Sequence, residues 1–479
     1  MNTSRSIRPK STFAPQPEKP RLFRRDFTLV VIGQIISLFG NAVLRFALPL
    51  HLLRETGSSA LFGAVTACSF VPMVVFSLLG GVIADRVNKR NIMVLLDACT
   101  ALLIAVFYLA LGRVPLVPLM SAVLMLLYGI AGAYQPAVQA SIPLLAGPRA
   151  LLRGNAVINM VGTLSGLLGP VAGGVLFGAF GLRPILILSA VCFALSAVME
   201  VFIRIPHTRR RKSAGLLAAA AGDLRESFRF ISAEKPAFLS VILLLALFNL
   251  VLSAALVVGI PVLVVQSLGL SDADLGLTQG AMGLGGLAGG LLAGNAGERL
   301  RLRSGSALLS GCALAVLAMG LALLPGVPAR AGFWVITAMS FLAMAAATVF
   351  TVALLTAVQQ QTPERLLGKV TASVLAVSNC AQPVGQALYG LLFDALAGAP
   401  WLVLFLAAVL ALAVALGSAV FRTHGGGIRA RAVEPLFTKA EGSAKPEGPA
   451  DPSLYPAFCM RRSWCDAQYN LELAGTLGN

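Results

Sequence analysis

Residues 78–91 read LLGGVIADRVNKRN and end a long apolar run with two glycines, one acid and three bases. The run before it has about the 20 apolar residues that an α-helix needs to cross a ~30 Å hydrocarbon core. The charged side chains therefore stand where such a helix would meet water. They either mark the end of a membrane span or form a contact that changes during function.

Apolar runs of this length recur along the whole chain. Of the 479 residues 57% are hydrophobic and 12% are charged, against about 25% charged in soluble domains. This pattern predicts an all-α integral membrane protein with twelve transmembrane helices. The predicted spans are residues 28–53, 60–84, 92–112, 116–137, 154–179, 183–203, 238–267, 273–298, 304–325, 330–357, 369–396 and 400–421.

Three motifs recur at nearly one spacing. They pair LPLHLLRETGSSALFG with IPVLVVQSLGLSDADLG, GGVIADRVNKR with LAGGLLAGNAGERLRLR, and GLLGPVAGG with NCAQPVGQA, at offsets of 212, 209 and 213 residues. Such a repeat predicts two pseudo-symmetric six-helix halves. The predicted domains are a cytoplasmic tail at 1–27, the halves at 28–203 and 238–421, a cytoplasmic connector at 204–237, and a polar tail at 422–479 expected to be disordered.

The connector itself carries an apolar pattern. Leu224, Phe228 and Ile231 fall on one face of a helix. We expect a short helix that lies on the inner membrane surface.

Basic residues predict the orientation in the membrane. Eighteen Arg and Lys side chains fall in the connector and in alternate loops, whereas the opposite loops hold four, namely Arg54, Arg113, Arg183 and Arg330. Basic loops stay in the cytoplasm, so we expect both termini there. The net charge of +17 then reflects topology and contact with anionic lipid, and no nucleic-acid partner is expected.

Residue types that carry catalysis or bind metals are sparse. The three His are scattered, and the seven Cys lie in predicted spans or in the C-terminal tail. No spacing indicates a disulfide, a metal site or a cofactor site, and no nucleophile–base pair or phosphate loop is present. The sequence therefore argues against an enzyme.

The quoted motifs carry a family resemblance. GGVIADRVNKR resembles the loop motif of the major facilitator superfamily, and GLLGPVAGG resembles the fifth-helix motif of its drug-exporting branches. ISLFGNAVLRFALPL, YQPAVQASIPLLAG and LLRGNA are similar to the subgroup that contains macrolide efflux proteins and the enterobactin exporter. This resemblance implies two halves that rock about a central cavity, usually driven by protons, in a bacterial inner membrane.

The chain departs from the subgroup at three places. Asn41 stands where an acid is common, and Thr100 stands one turn after Asp97 where an Arg is common. The fourth helix also lacks the Arg of typical drug/proton antiporters. These departures leave the coupling ion open.

The opening stretch predicts a gate. Asp85 ends the second span, where it can face the free amides at the start of the eleventh span, and such a contact would exist in one conformation only. Alternatively, the bases only set topology, although the second-half copy keeps bases such as Arg299 and has Gly294 in place of the acid. The predicted gating motif comprises Gly80, Gly81, Asp85, Arg86, Arg90 and Gly368.

Small and polar residues inside spans predict the substrate path. The helix-five motif can allow close packing around a proline kink, bend a helix that lines the cavity, or do both; it comprises Gly166, Gly169, Pro170, Gly173 and Gly174. The substrate-path candidates are Asn41, Arg45, Tyr134, Asn159, Thr163, Asn249, Asn379, Gln382 and Gln386. For Tyr134 the sequence alone favours packing over a role in the substrate path.

Few acids lie where they could bind protons during transport. Asp97 and Glu200 are the coupling candidates, near the cytoplasmic ends of their spans, and Asp394 lies near an outer end. A structural pair with satisfied partners is the alternative role for these carboxylates.

The sequence thus predicts a secondary active transporter, expected to be a monomer, that exports an amphipathic small molecule such as a drug or a siderophore. Uptake of a metabolite is the alternative within the same fold. A receptor or scaffold without transport activity is the alternative from another class.

Overall fold

A computed structural model describes residues 23–146, 150–205, 222, 225–296, 304–363 and 365–424. Within these ranges the regular elements are helices, so the all-α prediction is confirmed. Before the connector they are α1 (Arg25–Thr56), α2 (Ser59–Arg86), α3 (Lys89–Ala110), α4 (Leu116–Ala146), α5 (Leu151–Phe180) and α6 (Leu182–Val201). After it they are α7 (Ala237–Ser267), α8 (Asp272–Ala296), α9 (Ser304–Leu321), α10 (Ala329–Gln360), α11 (Leu367–Asn379), α12 (Ala381–Ala395) and α13 (Pro400–His424).

Nine of the described helices are long and apolar enough to cross a membrane, namely α1 to α7, α10 and α13. The helix α9 is shorter, and α11 and α12 follow one another with only Cys380 between them. The number of twelve spans therefore stays a prediction. So do the domain bounds, whose tails at 1–22 and 425–479 lie outside the described residues.

One predicted helix end is wrong by more than a few residues. The fourth span was expected to end at residue 137, but α4 continues to Ala146 with Pro136 and Pro143 inside it. A proline removes one backbone hydrogen bond, which membrane helices tolerate when neighbouring groups compensate. The other predicted ends lie within about four residues of the observed ones.

The same helix contacts occur before and after the connector. The helix α2 packs on α4 as α8 packs on α10, and α3 packs on α6 as α9 packs on α13. The helices α1 and α7 end alike, at Gly57 with φ 64° and at Gly269 with φ 63°. Glycine adopts this left-handed conformation without steric penalty. These matches agree with the internal repeat.

The connector contains a short helix at residues 225–234, whose last turn, Phe230–Glu234, is a π-helix. Of the side chains predicted to share an apolar face, Phe228 is exposed and Ile231 is buried, as is Phe230; Leu224 lies outside the described residues, and the position of this helix on the membrane stays a prediction. A π turn holds an extra residue and so changes which side chains face inward. Phe230 packs edge-on against Phe238 at a centroid distance of 6.2 Å.

We name the two ends of the helical bundle by one loop residue each. The Gly57 end carries the α1–α2, α5–α6, α7–α8 and α12–α13 connections, and the Asn88 end carries the α2–α3, α4–α5 and α10–α11 connections. One large apolar cluster joins side chains of both sets of helices, such as Phe46, Phe62 and Phe393. A smaller cluster, with Phe27, Met93 and others, is built from the first five helices and from Ile203 and Ile205, which follow α6.

Candidate functional site

An ion pair joins the two sets of helices at the Gly57 end. Arg54, in the last turn of α1, donates from Nε to Oδ1 of Asp272 at 2.6 Å. Its Nη2 also donates to the carbonyl oxygen of Leu270 at 3.4 Å. Since Asp272 begins α8, this pair ties the end of a first-half helix to the start of a second-half helix.

A second set of contacts ties α2 to the end of α12 and of α7. Asp394 accepts hydrogen bonds from Ser58 Oγ at 2.7 Å and from the backbone N–H of Ser59 at 2.6 Å. Gln266 accepts from Ser59 Oγ at 2.8 Å and donates to the carbonyl oxygen of Gly57 at 2.9 Å. We call the side chains that make both sets of contacts the clasp: Arg54, Ser58, Ser59, Gln266, Asp272 and Asp394.

The clasp was missed by the sequence reasoning, although a signal for it was present. Gln266 lies 212 residues after Arg54, which is the offset of the repeat around them. The two side chains therefore occupy equivalent positions in the two halves. Arg54 of the first half contacts the second half, and Gln266 of the second half contacts the first. Asp394 had been considered only as an acid that could bind a proton.

Glycines allow the backbones to meet next to the clasp. A Cβ on Gly63 of α2 would lie 3.0 Å from Cα of Gly390 on α12, and a Cβ on Gly174 of α5 would lie 3.0 Å from Cα of Gly276 on α8. The carbonyl oxygens of Gln386 and Asp272 lie closer still to these two Cβ positions, so a side chain at either glycine would require the backbones to move. The halves are thus in backbone contact at the Gly57 end along both crossings.

The helix-five motif serves two different contacts. Gly169 and Gly173 face Ala42 and Phe46 of α1, which belong to the same half. Gly174, by contrast, faces α8, and the carbonyl oxygen of Pro170 lies against Gly276. Close packing and contact between halves therefore coexist in one helix.

Towards the Asn88 end the same two helices separate around a cavity of about 520 Å³. Its walls include Thr163, Gly166 and Leu167 of α5 together with Gly283 and Gly286 of α8. Asn159, one turn before Thr163, is exposed. The structure thus brings two sequence-predicted residues, Thr163 and Gly166, to one side of a cavity that lies between the halves.

A buried polar cluster lies inside the first half. Glu200 is fully buried on α6, and its Oε1 accepts a hydrogen bond of 2.7 Å from the hydroxyl of Tyr134 on α4. The same hydroxyl accepts from Nε2 of Gln34 on α1 at 2.5 Å. Asp97 on α3 is 3% exposed. It lines a cavity of about 40 Å³ with Tyr134 and Ser37.

This cluster joins residues that the sequence had assigned to different tasks. Asp97 and Glu200 were coupling candidates, whereas Tyr134 and Asn41 were substrate-path candidates. Asn41 and Thr100, two of the departures from the subgroup, line the same small cavity as Asp97. Gln34 was not predicted.

The remaining substrate-path candidates do not form one site. The guanidinium of Arg45 stacks on the ring of Tyr128, 3.9 Å from its centroid. Asn249 Nδ2 donates to Oδ1 of Asn379 at 3.4 Å, which links α7 to α11. Gln382 is half-buried and Gln386 is fully buried. The carbonyl oxygen of Gln386 lies against Gly63 in the α2–α12 crossing.

The predicted gating motif is only partly described. Gly80 packs against Ala133 of α4, where a Cβ would lie 2.7 Å from Cα, so its close approach is within the first half and not to α11. A Cβ added to Gly81 or to the exposed Gly368 would meet no atom within 4 Å. Arg90 Nε donates to Asn91 Oδ1 at 3.3 Å. The side chains of Asp85 and Arg86 lie outside the described residues, so the latch stays a prediction.

The helices, the inter-helix cavity and the contacts between two repeated halves define a membrane transporter. The sequence model of the Major Facilitator Superfamily matches residues 30–374 and 242–462, and the chain belongs to this family. The members of this family and the relatives below are transporters and not enzymes. This confirms the predicted class of protein, a transporter, and the prediction that it is not an enzyme.

Two relatives are named for efflux. The chain is 22% identical over 392 residues to macrolide efflux protein A of Streptococcus pyogenes, covering 81% of this chain and 94% of the relative. It is 26% identical over 375 residues to the enterobactin exporter EntS of Salmonella typhimurium, covering 76% and 84%. The predicted similarity to this subgroup is confirmed.

Solved structures support the fold. The nucleoside transporter NupG matches with a TM-score of 0.66 at 14% identity, over 84% of this chain and 100% of that chain. A bacterial homologue of the human lysosomal transporter Spinster, in an inward-facing and unoccupied conformation, matches with a TM-score of 0.61 at 17% identity, over 83% and 94%.

Proposed function

We propose that the protein is a secondary active exporter that moves an amphipathic small molecule out of the cytoplasm by alternating access. The observation that carries this proposal is an asymmetry between the two ends. The clasp and the glycine crossings join the halves at the Gly57 end, whereas α5 and α8 part around a cavity towards the Asn88 end. A carrier that exposes its site to one side at a time needs such an arrangement.

The bias of basic loops assigns the two ends to the two sides of the membrane. Since the connector and the other basic loops lie at the Asn88 end, that end faces the cytoplasm. The structure then corresponds to a conformation that is closed outside and open inside. In this proposal the protein lies in the bacterial inner membrane as a monomer with both termini in the cytoplasm.

The cavity between α5 and α8 suits an amphipathic substrate. Its wall combines Leu167 and several glycines with the hydroxyl of Thr163, and pockets for such ligands are mostly apolar with a few polar groups. The names of the two efflux relatives, for a macrolide and for enterobactin, support a drug or a siderophore as the class of substrate.

Asp97 and Glu200 are the proposed sites of proton coupling. Both carboxyl groups are buried, and no Arg or Lys among the described residues forms an ion pair with either. An ionised carboxylate in such surroundings is strongly disfavoured unless a proton or another cation accompanies it. Proton uptake at this pair can therefore change the energy balance between the two conformations.

The proposal is tested by measuring the accumulation of a panel of amphipathic compounds in cells with and without the protein. We expect at least one compound to accumulate less when the protein is present, and a protonophore to abolish the difference. Asp97→Asn should also abolish it while binding of that compound to the purified protein persists, because the amide keeps the size but cannot ionise. Asp274→Asn, at the Gly57 end, serves as the matched control.

Three results would contradict parts of this proposal. Higher accumulation would favour uptake over export, and no change for any compound would favour a receptor or scaffold. Export that persists with the protonophore, or in Asp97→Asn, would exclude proton coupling at this residue.

A further inference from the structure

Four buried oxygen atoms of the cluster around Asp97 and Glu200 lack a hydrogen-bond partner within the described residues. These atoms are Asp97 Oδ2, Glu200 Oε2, Gln34 Oε1 and Ser37 Oγ. They come from three helices, α1, α3 and α6, and their residues are at most 3% exposed. Buried polar atoms normally have a partner, so the amide and carboxylate oxygens call for a proton, a water or a cation, to which the oxygen of the Ser37 hydroxyl can also bind.

The chemistry of these atoms selects a hard cation. Carboxylate, amide carbonyl and hydroxyl oxygens are the ligands of alkali and alkaline-earth ions, whereas transition metals prefer imidazole and thiolate. Within the described ranges there is no group of three or more His, Cys, Asp and Glu side chains that could hold a metal ion. The donor set here is instead two carboxylates with two neutral oxygens.

Size and charge favour a monovalent ion. The adjoining cavity of about 40 Å³ accommodates one ion with about one or two waters, since a water needs ~10–15 Å³ on this measure. Ca²⁺ takes about 6–8 oxygen ligands, and Mg²⁺ keeps several waters, more than this site supplies. One monovalent cation with one ionised and one protonated carboxyl leaves the buried site neutral.

We propose that Gln34, Ser37, Asp97 and Glu200 form a binding site for one sodium ion, which competes there with protons. This inference rests on the proposed function only in treating the carboxyl pair as the coupling site. Sodium binding would then release a proton from one carboxyl group, and proton uptake would expel the ion. Sodium ions and protons would then replace one another at a single site, and either could act as the coupling ion.

The competition depends on two titratable groups. Asp97 comes from α3 and Glu200 from α6, while α4 contributes the Tyr134 hydroxyl, which donates to Glu200. The nearby polar side chains of α1 are uncharged, and its nearest charged residues, Asp26 and Arg25, are about 12 and 14 Å along the helix from Gln34. No positively charged side chain of α1 therefore lies where it could take the place of a bound cation.

The experiment is thermal unfolding of the purified full-length protein in detergent, in sodium chloride and in choline chloride of equal ionic strength. At mildly alkaline pH we expect sodium to raise the midpoint by about 2–4 °C. The difference should vanish at mildly acidic pH, because protons then occupy both carboxyl groups. Potassium and calcium should give smaller shifts than sodium.

Substitutions locate the effect. Asp97→Asn should remove the sodium-dependent shift, and Gln34→Leu should weaken apparent sodium affinity about tenfold by removing one oxygen ligand. Asp274→Asn should retain the full shift. If Asp97→Asn does not fold, Gln34→Leu and direct binding of radioactive sodium to the unmodified protein decide the question.

Equal midpoints in sodium and choline at alkaline pH, a larger shift with calcium, or a sodium shift retained in Asp97→Asn would overturn the inference. Proton-driven export without a sodium response would overturn it and leave the proposed function standing. A sodium response in a protein that alters the accumulation of no compound would support the sodium site and contradict the proposed function.

Discussion

Asp272 and Asp274 stand two residues apart in the first turn of α8 and make different contacts. Asp272 pairs with Arg54 of the other half, whereas Asp274 pairs with Arg330 Nη1 at 2.9 Å within its own half. Both acids interact in a similar way with the positive end of the helix dipole. A comparison of the two substitutions therefore isolates the contact between halves.

We predict that Asp272→Asn shifts the protein towards the conformation that is open at the Gly57 end. A partly exposed ion pair contributes about 0.2–1 kcal/mol, so the ratio of the two conformations should change by about 1.4- to 5-fold. Distances between spin labels at Glu55 and Ala397, both exposed, would measure the ratio. Asp274→Asn should leave the distances unchanged, and equal shifts in the two variants would refute the assignment.

The predicted latch at the opposite end can be tested in the same way. Asp85→Asn should weaken the conformation closed at the Asn88 end, because a charge at a helix N-terminus is worth about 0.3–2 kcal/mol. This corresponds to a change of about two- to thirtyfold. Labelling of a cysteine placed next to Gly368, without native cysteines, should increase. If Arg299→Gln has an equal effect, the charges after residue 84 only set topology.

Sequence reasoning could name the members of the buried cluster but not their convergence. Asp97, Tyr134 and Glu200 attract notice because polar groups in a membrane span are unusual. Their meeting depends on how α3, α4 and α6 pack, which hydropathy does not encode. For Gln34 a signal existed, since Gln34, Ser37 and Asn41 follow i, i+3, i+7 spacing and so share a helix face.

Among the helices, the two glycine crossings determine how closely the halves approach. Gly174→Ala should push α5 and α8 apart at the Gly57 end, because the added Cβ would lie 3.0 Å from Cα of Gly276. Overpacking typically destabilises by about 1–3 kcal/mol. We expect longer distances between labels at Glu55 and Ala397 and slower transport.

Gly162→Ala on the same helix is the matched control for this prediction. Its added Cβ would meet no atom within 4 Å. The control should therefore keep the distances and the transport rate of the unmodified protein. Similar effects of the two substitutions would mean that the crossing does not control closure.

Helix positions were predictable from the sequence, but backbone details were not. Hydropathy located most helix ends because apolar length is set by the membrane. It could not show the π turn at Asn249–Ser253 or the break at Cys380, since these depend on local packing rather than on average polarity. The internal repeat was informative for one backbone detail, because Gly57 and Gly269, which it pairs, end their helices with nearly the same φ angle.

For the whole molecule, the orientation in the membrane is the first quantity to test. A topology reporter inserted at Gly57 should read outside the cell, and one at Ser213 in the connector should read inside, because basic loops are retained in the cytoplasm. A reporter at Arg113 should agree with the one at Gly57. Finding Gly57 and Ser213 on the same side would refute the predicted topology.

The conformation of the molecule could not have been predicted from the sequence. A transporter has one sequence for at least two arrangements of its halves, and the contact predicted for Asp85 is not expected to exist together with those observed for Gly63 and Asp272. The structure selects one arrangement, with the clasp made. Motif analysis had predicted only a contact at the opposite end.

The clasp contains an ion pair where α1 meets α8. At the equivalent position, where α7 meets the start of α2, it uses the neutral amide of Gln266. Arg54 and Asp272 attract one another through charge, while Gln266 holds Ser59 and Gly57 by neutral hydrogen bonds. Dissolved salt screens exposed charges over about 8 Å at physiological ionic strength, but it affects neutral hydrogen bonds little. In a saltier medium the Arg54–Asp272 contact between α1 and α8 should therefore weaken before the Gln266 contacts that join α7 to the start of α2.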